Sequence, residues 1–217
     1  MLVPLQRKRK MKLQIAFDIS DLDQAVSLAQ QVAEQCDILE VGTLLLYKYG
    51  APAIERFKKE FPQKTILADA KIIDRGKEAV ATMASAGADW VTVMAGTGKE
   101  VIHSASTMAH QCNVKVMLDL VDASSLGQSA LDAKNLGADA LLFHQAYDEK
   151  DAFILLDKWE MVRGNTSLPI FISAKITRST IFNILNIKPD GIVIGKSIID
   201  ADNPLQEAAF FYDLCNK

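Results

Sequence analysis

A repeat of about fifty residues constrains this chain more than any other feature. A helix end followed by an aspartate stands before every second short apolar run: Cys36-Asp37, Ala86-Gly87-Ala88-Asp89, Leu136-Gly137-Ala138-Asp139 and Lys188-Pro189-Asp190. These four aspartates lie 52, 50 and 51 residues apart. The apolar runs, at 13–18, 37–42, 65–71, 89–94, 115–120, 139–144, 169–174 and 191–195, are of strand length. Helix-length segments at 20–35, 52–60, 77–86, 99–111, 125–136, 151–163, 180–185 and 204–215 alternate with them. The runs are continuously rich in Val, Ile and Leu, the pattern of parallel strands covered on both faces. Eight βα units in a 217-residue chain predict a (β/α)8 TIM barrel at the small end of its size range. The competing architecture is a doubly wound open sheet. The fourfold repeat favours closure, and no G-x-G-x-x-G follows the first strand. The repeated glycines and aspartates read as helix C-cap and turn chemistry on the face opposite the active site.

One barrel domain is expected over residues 11–217. Residues 1–10 read as a disordered basic leader carrying Arg7-Lys8-Arg9-Lys10, the alternative being an arm for nucleic acid or membrane. A net charge of −3 argues against nucleic acid as the main partner. The apolar stretch before the basic cluster is too short for a signal peptide or a membrane span. Cys36, Cys112 and Cys215 form no C-x-x-C, which fits a reducing compartment and predicts a cytoplasmic protein. The three histidines form no zinc-binding pattern.

Catalytic groups of such barrels gather at the C-terminal ends of the strands. The polar residues there are Asp18, Glu40, Asp69, Lys71, Asp119 and His144. The decapeptide Leu67-Ala68-Asp69-Ala70-Lys71-Ile72-Ile73-Asp74-Arg75-Gly76 is the densest part of the set. Strand alternation points Asp69 and Lys71 to one face, with Asp74 in the loop beyond. Read alone, this segment fits a surface ion pair as well as an active-site rim; the convergence of six such strand ends carries the functional reading. Singly, His144 fits a packed histidine and Asp119 a turn cap. Glu40 and Asp69 are the pair suited to Mg²⁺, which prefers hard oxygen ligands. Lys71 supplies fixed positive charge, and His144 can move protons near neutral pH. Gly195-Lys196-Ser197 and Lys175 end the last two strands, where barrels commonly bind phosphate; two solvent-facing lysines are the alternative.

The segments Glu40-Val41-Gly42-Thr43, Asp69-Ala70-Lys71-Ile72-Ile73-Asp74 and Gly87-Ala88-Asp89-Trp90-Val91-Thr92-Val93, with Asp18 and His144, resemble the orotidine 5′-phosphate decarboxylase superfamily. Within it, the chain is similar to the branch holding 3-hexulose-6-phosphate synthase and 3-keto-L-gulonate-6-phosphate decarboxylase. The resemblance implies a homodimer with sites at the interface and Mg²⁺ on Glu40 and Asp69. It places Asp18 and Lys71 at the substrate's reactive end, sends Asp74 into the neighbouring subunit's site, and makes His144 the proton-transfer residue. Both activities pass through an enediolate of a sugar phosphate. Asp119 on the fifth strand and Tyr147 after His144 favour the synthase, since decarboxylases tend to carry Glu and Arg there. Gln145-Ala146 departs from the synthases' Thr-Gly, and Ala174-Lys175 departs from the family's Gly-Gly at the phosphate end. The expected function is therefore a Mg²⁺-dependent carbon–carbon lyase of the synthase type. The decarboxylase, or a barrel that binds a sugar phosphate without turnover, is the alternative.

Overall fold

The computed structural model describes residues 11–145 and 158–216. The basic leader, Ala146, Tyr147 and the first part of the helix expected at 151–163 lie outside the described residues. Eight parallel strands close into a barrel in chain order: β1 (Lys12–Phe17), β2 (Ile38–Val41), β3 (Thr65–Ile72), β4 (Trp90–Met94), β5 (Lys115–Asp119), β6 (Ala140–His144), β7 (Ile170–Ser173) and β8 (Gly191–Ile194). Closure is made by β8 pairing with β1, Lys12 opposite Gly191 and Ile15 opposite Ile194. The barrel is borne out, and the open sheet is excluded.

The helices on its outside are α1 (Leu22–Val32), α2 (Thr43–Tyr49), α3 (Ala51–Glu60), α4 (Gly76–Ser85), α5 (Lys99–Gln111), α6 (Leu126–Ala133), α7 (Trp159–Arg163), α8 (Ile181–Asn186), α9 (Lys196–Ile199) and α10 (Pro204–Cys215). Asp21 caps α1 by accepting the Gln24 N–H, and Ser125 caps α6 by accepting that of Gln128. The helix expected at 20–35 is α1 followed by a 3₁₀ turn at Ala33–Gln35. Helix α2 was not anticipated. It begins directly after Gly42, so no loop separates it from β2, and Gly50 at φ 63° divides it from α3.

Each strand is buried on both faces. One phase, including Leu13, Ile15, Leu39, Val91 and Ile172, packs under the helices. The other phase fills the barrel with Ala16, Ile38, Leu67, Met117, Leu142, Phe171 and Val193. Phe171 lies where a side chain at position 191 would stand: a Cβ on Gly191 would come within 2.4 Å of its ring. Glycine there lets a large aromatic close the barrel floor.

The repeat aspartates sit at the N-terminal end and do more than turn chemistry. Each clamps the strand before it: Asp37 accepts the Leu13 N–H (3.0 Å), Asp89 that of Ile66 (2.8 Å), Asp139 that of Val116 (2.8 Å) and Asp190 that of Ile170 (2.9 Å). The aspartate's own N–H donates back to the carbonyl of the same partner at 2.8–2.9 Å. Gly87 (φ 96°) and Gly137 (φ 90°) make the left-handed turn two residues earlier, and Lys188 (φ 51°) takes the equivalent place.

Candidate active site

At the C-terminal end, the inward phase of the strands changes from apolar to charged. Glu40, Asp69, Thr92, Asp119 and His144 come from five consecutive strands, β2 to β6. Glu40 is 5% exposed, Asp69 4% and Asp119 0%. Carboxylates so deeply placed must be paired, protonated or bound to a cation.

Asp69 is bonded on both oxygens. Thr43 donates its hydroxyl to Oδ2 (2.6 Å), Thr92 donates to Oδ1 (2.9 Å), and Lys71 Nζ lies 3.1 Å from Oδ1 and 3.0 Å from Oδ2. Lys71 Nζ also reaches Asp119 Oδ2 at 3.3 Å. The Lys71 backbone is left-handed (φ 44°), the register of β3 against β4 slips between Ala68 and Ile72, and the Lys71 N–H bonds Thr92 Oγ1 at 2.9 Å. A bulge, rather than plain alternation, aims this lysine into the cluster. Burial disfavours its charge, but Asp69 and Asp119 outweigh that and its pKa rises.

Asp119 joins the lysine to the histidine. His144 Nδ1 lies 2.9 Å from Asp119 Oδ2, and the Val121 N–H donates to Oδ1 at 3.0 Å. Burial opposes ionisation of Asp119, yet His144 and Lys71 hold its pKa below the ordinary value. Asp119, a candidate substrate-binding residue by its place at a strand end, is wholly buried and bridges Lys71 to His144. It also caps the turn after β5 through the Val121 N–H.

Glu40 is the exception. Its one described hydrogen bond comes from Gln14 Nε2, 2.5 Å from Oε2. Burial, then the negative charges of Asp69 and Asp18, push its pKa well above the ordinary carboxylate range. Asp18 is open to solvent at the barrel mouth. Desolvation on its protein-facing sides, then Asp69, raise its pKa. A Cβ on Gly42 would fall 2.4 Å from Asp18 Oδ1 and 2.6 Å from the Phe17 carbonyl oxygen. Glycine in the Glu-Val-Gly-Thr segment therefore lets the ends of β1 and β2 approach each other.

Among the described residues, no three His, Cys, Asp or Glu side chains already stand grouped as a metal site. Asp69 instead faces Lys71. The donor set nonetheless fits a hard divalent cation: Glu40 and Asp69, with Asp18 nearby, are oxygen donors whose mutual repulsion such an ion would relieve.

The remaining candidates lie beyond the strand ends. Asp74 is exposed in the loop after β3, where its Oδ1 accepts the Arg75 N–H at 2.7 Å. Lys175 is exposed on the loop after β7, Lys196 is exposed as the first residue of α9, and Gly195 is the residue before that helix. Ser197 ties α9 to the loop after β7 by donating to the Ile176 carbonyl at 2.6 Å. Sequence reading missed Gln14 as a site residue, and Thr43 and Thr92 as partners of Asp69. For Gln14 and Thr92 the available signal was an uncharged polar residue in the inward phase of a mainly apolar strand.

The profile of the Orotidine 5′-phosphate decarboxylase / HUMPS family matches residues 11–211. A 3-hexulose-6-phosphate synthase of Staphylococcus epidermidis is 30% identical over 200 residues, covering 91% of this chain and 95% of that protein. The crystal structure of 3-hexulose-6-phosphate synthase from Salmonella typhimurium matches with a TM-score of 0.87 at 30% identity, over 94% of this chain and 98% of that one. That of 3-keto-L-gulonate-6-phosphate decarboxylase from Vibrio cholerae matches with a TM-score of 0.82 at 26% identity, over 95% and 97%. The family resemblance read from the strand ends thus extends over the whole barrel, and the chain belongs to the orotidine 5′-phosphate decarboxylase / HUMPS family.

Proposed function

We propose that this protein is a 3-hexulose-6-phosphate synthase, a carbon–carbon lyase that adds formaldehyde to ribulose 5-phosphate with Mg²⁺. The observation that carries the synthase reading is Asp119. It is wholly buried and within 3.3 Å of both Lys71 and His144. The glutamate of the decarboxylases would be longer by one methylene and would alter these two contacts.

Asp119 holds His144 by Nδ1, so the neutral ring carries its proton there and offers Nε2 as base. Nε2 takes a proton from the substrate carbon beside the carbonyl. The electron pair left on that carbon attacks the carbon of formaldehyde, forming the new C–C bond while the C=O π pair moves to oxygen, and the imidazolium returns its proton to the resulting alkoxide. Lys71, held cationic by two carboxylates, stabilises negative charge on the substrate oxygens. Glu40 and Asp69 would hold Mg²⁺, which when bound supplies a Lewis acid beside those oxygens. Asp18, at the mouth, orients the substrate's reactive end.

Lys175, Lys196 and the backbone around Gly195 form the phosphate end. The working unit is a homodimer in the cytoplasm. Exposed Leu44, Tyr47 (78%) and Ile73 (64%) flank the ends of β2 and β3, an apolar rim that a second subunit would cover. Asp74 then enters the partner's site. No described helix is long and apolar enough to cross a membrane.

The test is an assay of purified protein with Mg²⁺ beside two substrate sets. Turnover of ribulose 5-phosphate with formaldehyde, exceeding that of 3-keto-L-gulonate 6-phosphate, is expected. The reverse preference would move the assignment to the decarboxylase, which uses the same Asp69–Lys71–His144 chemistry. No turnover of either would leave a binding barrel, with Ala174-Lys175 at the phosphate end as the first suspect.

A further inference from the structure

We infer that Gln14 is a positioning residue for Glu40 and sets the affinity of the acidic site for its divalent cation. The inference rests on the reading of Glu40 as a metal ligand. Gln14 is 0% exposed on the inner side of β1. Its lateral neighbours in the barrel, Ile38 on β2 and Val193 on β8, are apolar. Its side chain makes one described hydrogen bond, from Nε2 to Glu40 Oε2. Its Oε1 is buried with no hydrogen-bond partner among the described residues.

Buried amides are normally satisfied on both ends, and an orphaned oxygen costs stability. In this barrel layer, Met or Leu would fill the same volume without that cost. The arrangement has a physical use. The carboxamide can present either a donor or an acceptor to Glu40, and toward a carboxylate only the donor is favourable. Turning Nε2 to Glu40 leaves Oε1 of the amide facing apolar surroundings. In return, Oε2 of Glu40 is fixed in one orientation and the other carboxylate oxygen is left to bind. The closest parallel in chemistry is the outer hydrogen-bonding shell of metal sites, whose loss weakens metal binding by roughly 10–100-fold.

The test uses the full chain, stripped of metal and titrated with Mn²⁺, read by electron paramagnetic resonance or calorimetry. Gln14→Met and Gln14→Leu should each bind Mn²⁺ about 10–100-fold more weakly. Without metal both should melt close to wild type, because removal of the orphaned Oε1 offsets the lost bond to Glu40 Oε2. At saturating Mg²⁺ their kcat should recover, with KM for the sugar phosphate little changed. Two shapes are used so that one misfolded variant does not end the test. Glu40→Gln is the control for the ligand reading. If Glu40→Gln abolishes Mn²⁺ binding while a folded Gln14 variant binds within about twofold of wild type, the inference is overturned and the ligand reading stands. If Glu40→Gln leaves Mn²⁺ binding intact, both fall. A Gln14 variant that loses melting temperature but keeps its Mn²⁺ affinity would make Gln14 merely structural, and would also overturn the inference.

Discussion

The two ends of this barrel use the same residue type for opposite purposes. At the N-terminal end, Asp37, Asp89, Asp139 and Asp190 perform one task in four copies, each accepting a backbone N–H from the preceding strand. Basic side chains stand beside members of the set: Lys58 at Asp89, His110 at Asp139 and Arg163 at Asp190. At the C-terminal end, Asp69 and Asp119 bond side chains, and no two positions do the same thing. Asp69 gathers two hydroxyls and an ammonium, while Asp119 bridges that ammonium to His144. Repetition satisfies the backbone and holds strands in register. Broken repetition leaves buried charges that are paired with one another, a condition under which a substrate or cation can be exchanged in.

The largest expected effect lies at the asymmetric end. Lys71→Ala removes the cation shared by Asp69 and Asp119, leaving two buried carboxylates without it. Turnover should fall by a factor on the order of 10³ or more in a steady-state assay, with a stability cost of about 3–5 kcal/mol by chemical denaturation. Near-wild-type turnover in a folded variant would remove Lys71 from the chemistry.

Asp190→Ala, at the symmetric end, should leave kcat within a few-fold. It should cost about 1–3 kcal/mol through the lost bonds to the Ile170 N–H and Arg163. For a domain of this size each kcal/mol lowers the melting temperature by roughly 2–4 °C, which calorimetry can read. A variant that melts normally but loses activity would reverse the comparison between the ends.

The pH dependence of stability sharpens it further. Asp119 has a folded pKa below its unfolded value of 3.8. In the folded state it therefore binds fewer protons around that pH. Its stabilisation is fully present above pH 3.8 and is lost as the pH falls through the depressed folded value. The stability gap between wild type and Asp119→Asn should be widest near neutrality and shrink in acid. A constant gap would mean that Asp119 acts by shape alone.

Much of the fold was legible because its signal is one-dimensional. Eight apolar runs and the interval between Asp37, Asp89, Asp139 and Asp190 report closure directly. Helix α2 was missed because Thr43-Leu44-Leu45-Leu46 continues the apolar run of β2 with no break except Gly42. Of the site, the charged residues were legible, since Asp69, Lys71 and Asp119 interrupt apolar strands. Gln14 and Thr92 were not. A single uncharged polar residue is tolerated in many strands, and only the inward phase and the distances to Glu40 and Asp69 give these two meaning. The bulge at Lys71 was also invisible, because a left-handed lysine has no sequence marker of the kind glycine provides.

The smallest expected effect concerns the thiols. Cys112 is exposed, whereas Cys36 and Cys215 are buried and burial pushes the Cys36 thiol up to about 12. A thiol reagent should label Cys112 first in the native protein, and mass spectrometry should find Cys36 modified only after unfolding. Early labelling of Cys36 would show that the N-terminal end, where it precedes Asp37, opens more readily than its clamps imply.

The most direct measurement is the turnover of ribulose 5-phosphate and formaldehyde by Asp69→Asn and Asp89→Asn, made side by side with saturating Mg²⁺. Asp69→Asn should lose activity by a factor on the order of 10³ while remaining folded, and Asp89→Asn should keep kcat within a few-fold while melting lower. Equal losses in the two variants, or a greater loss for Asp89→Asn, would contradict the division of labour between the two ends of the barrel.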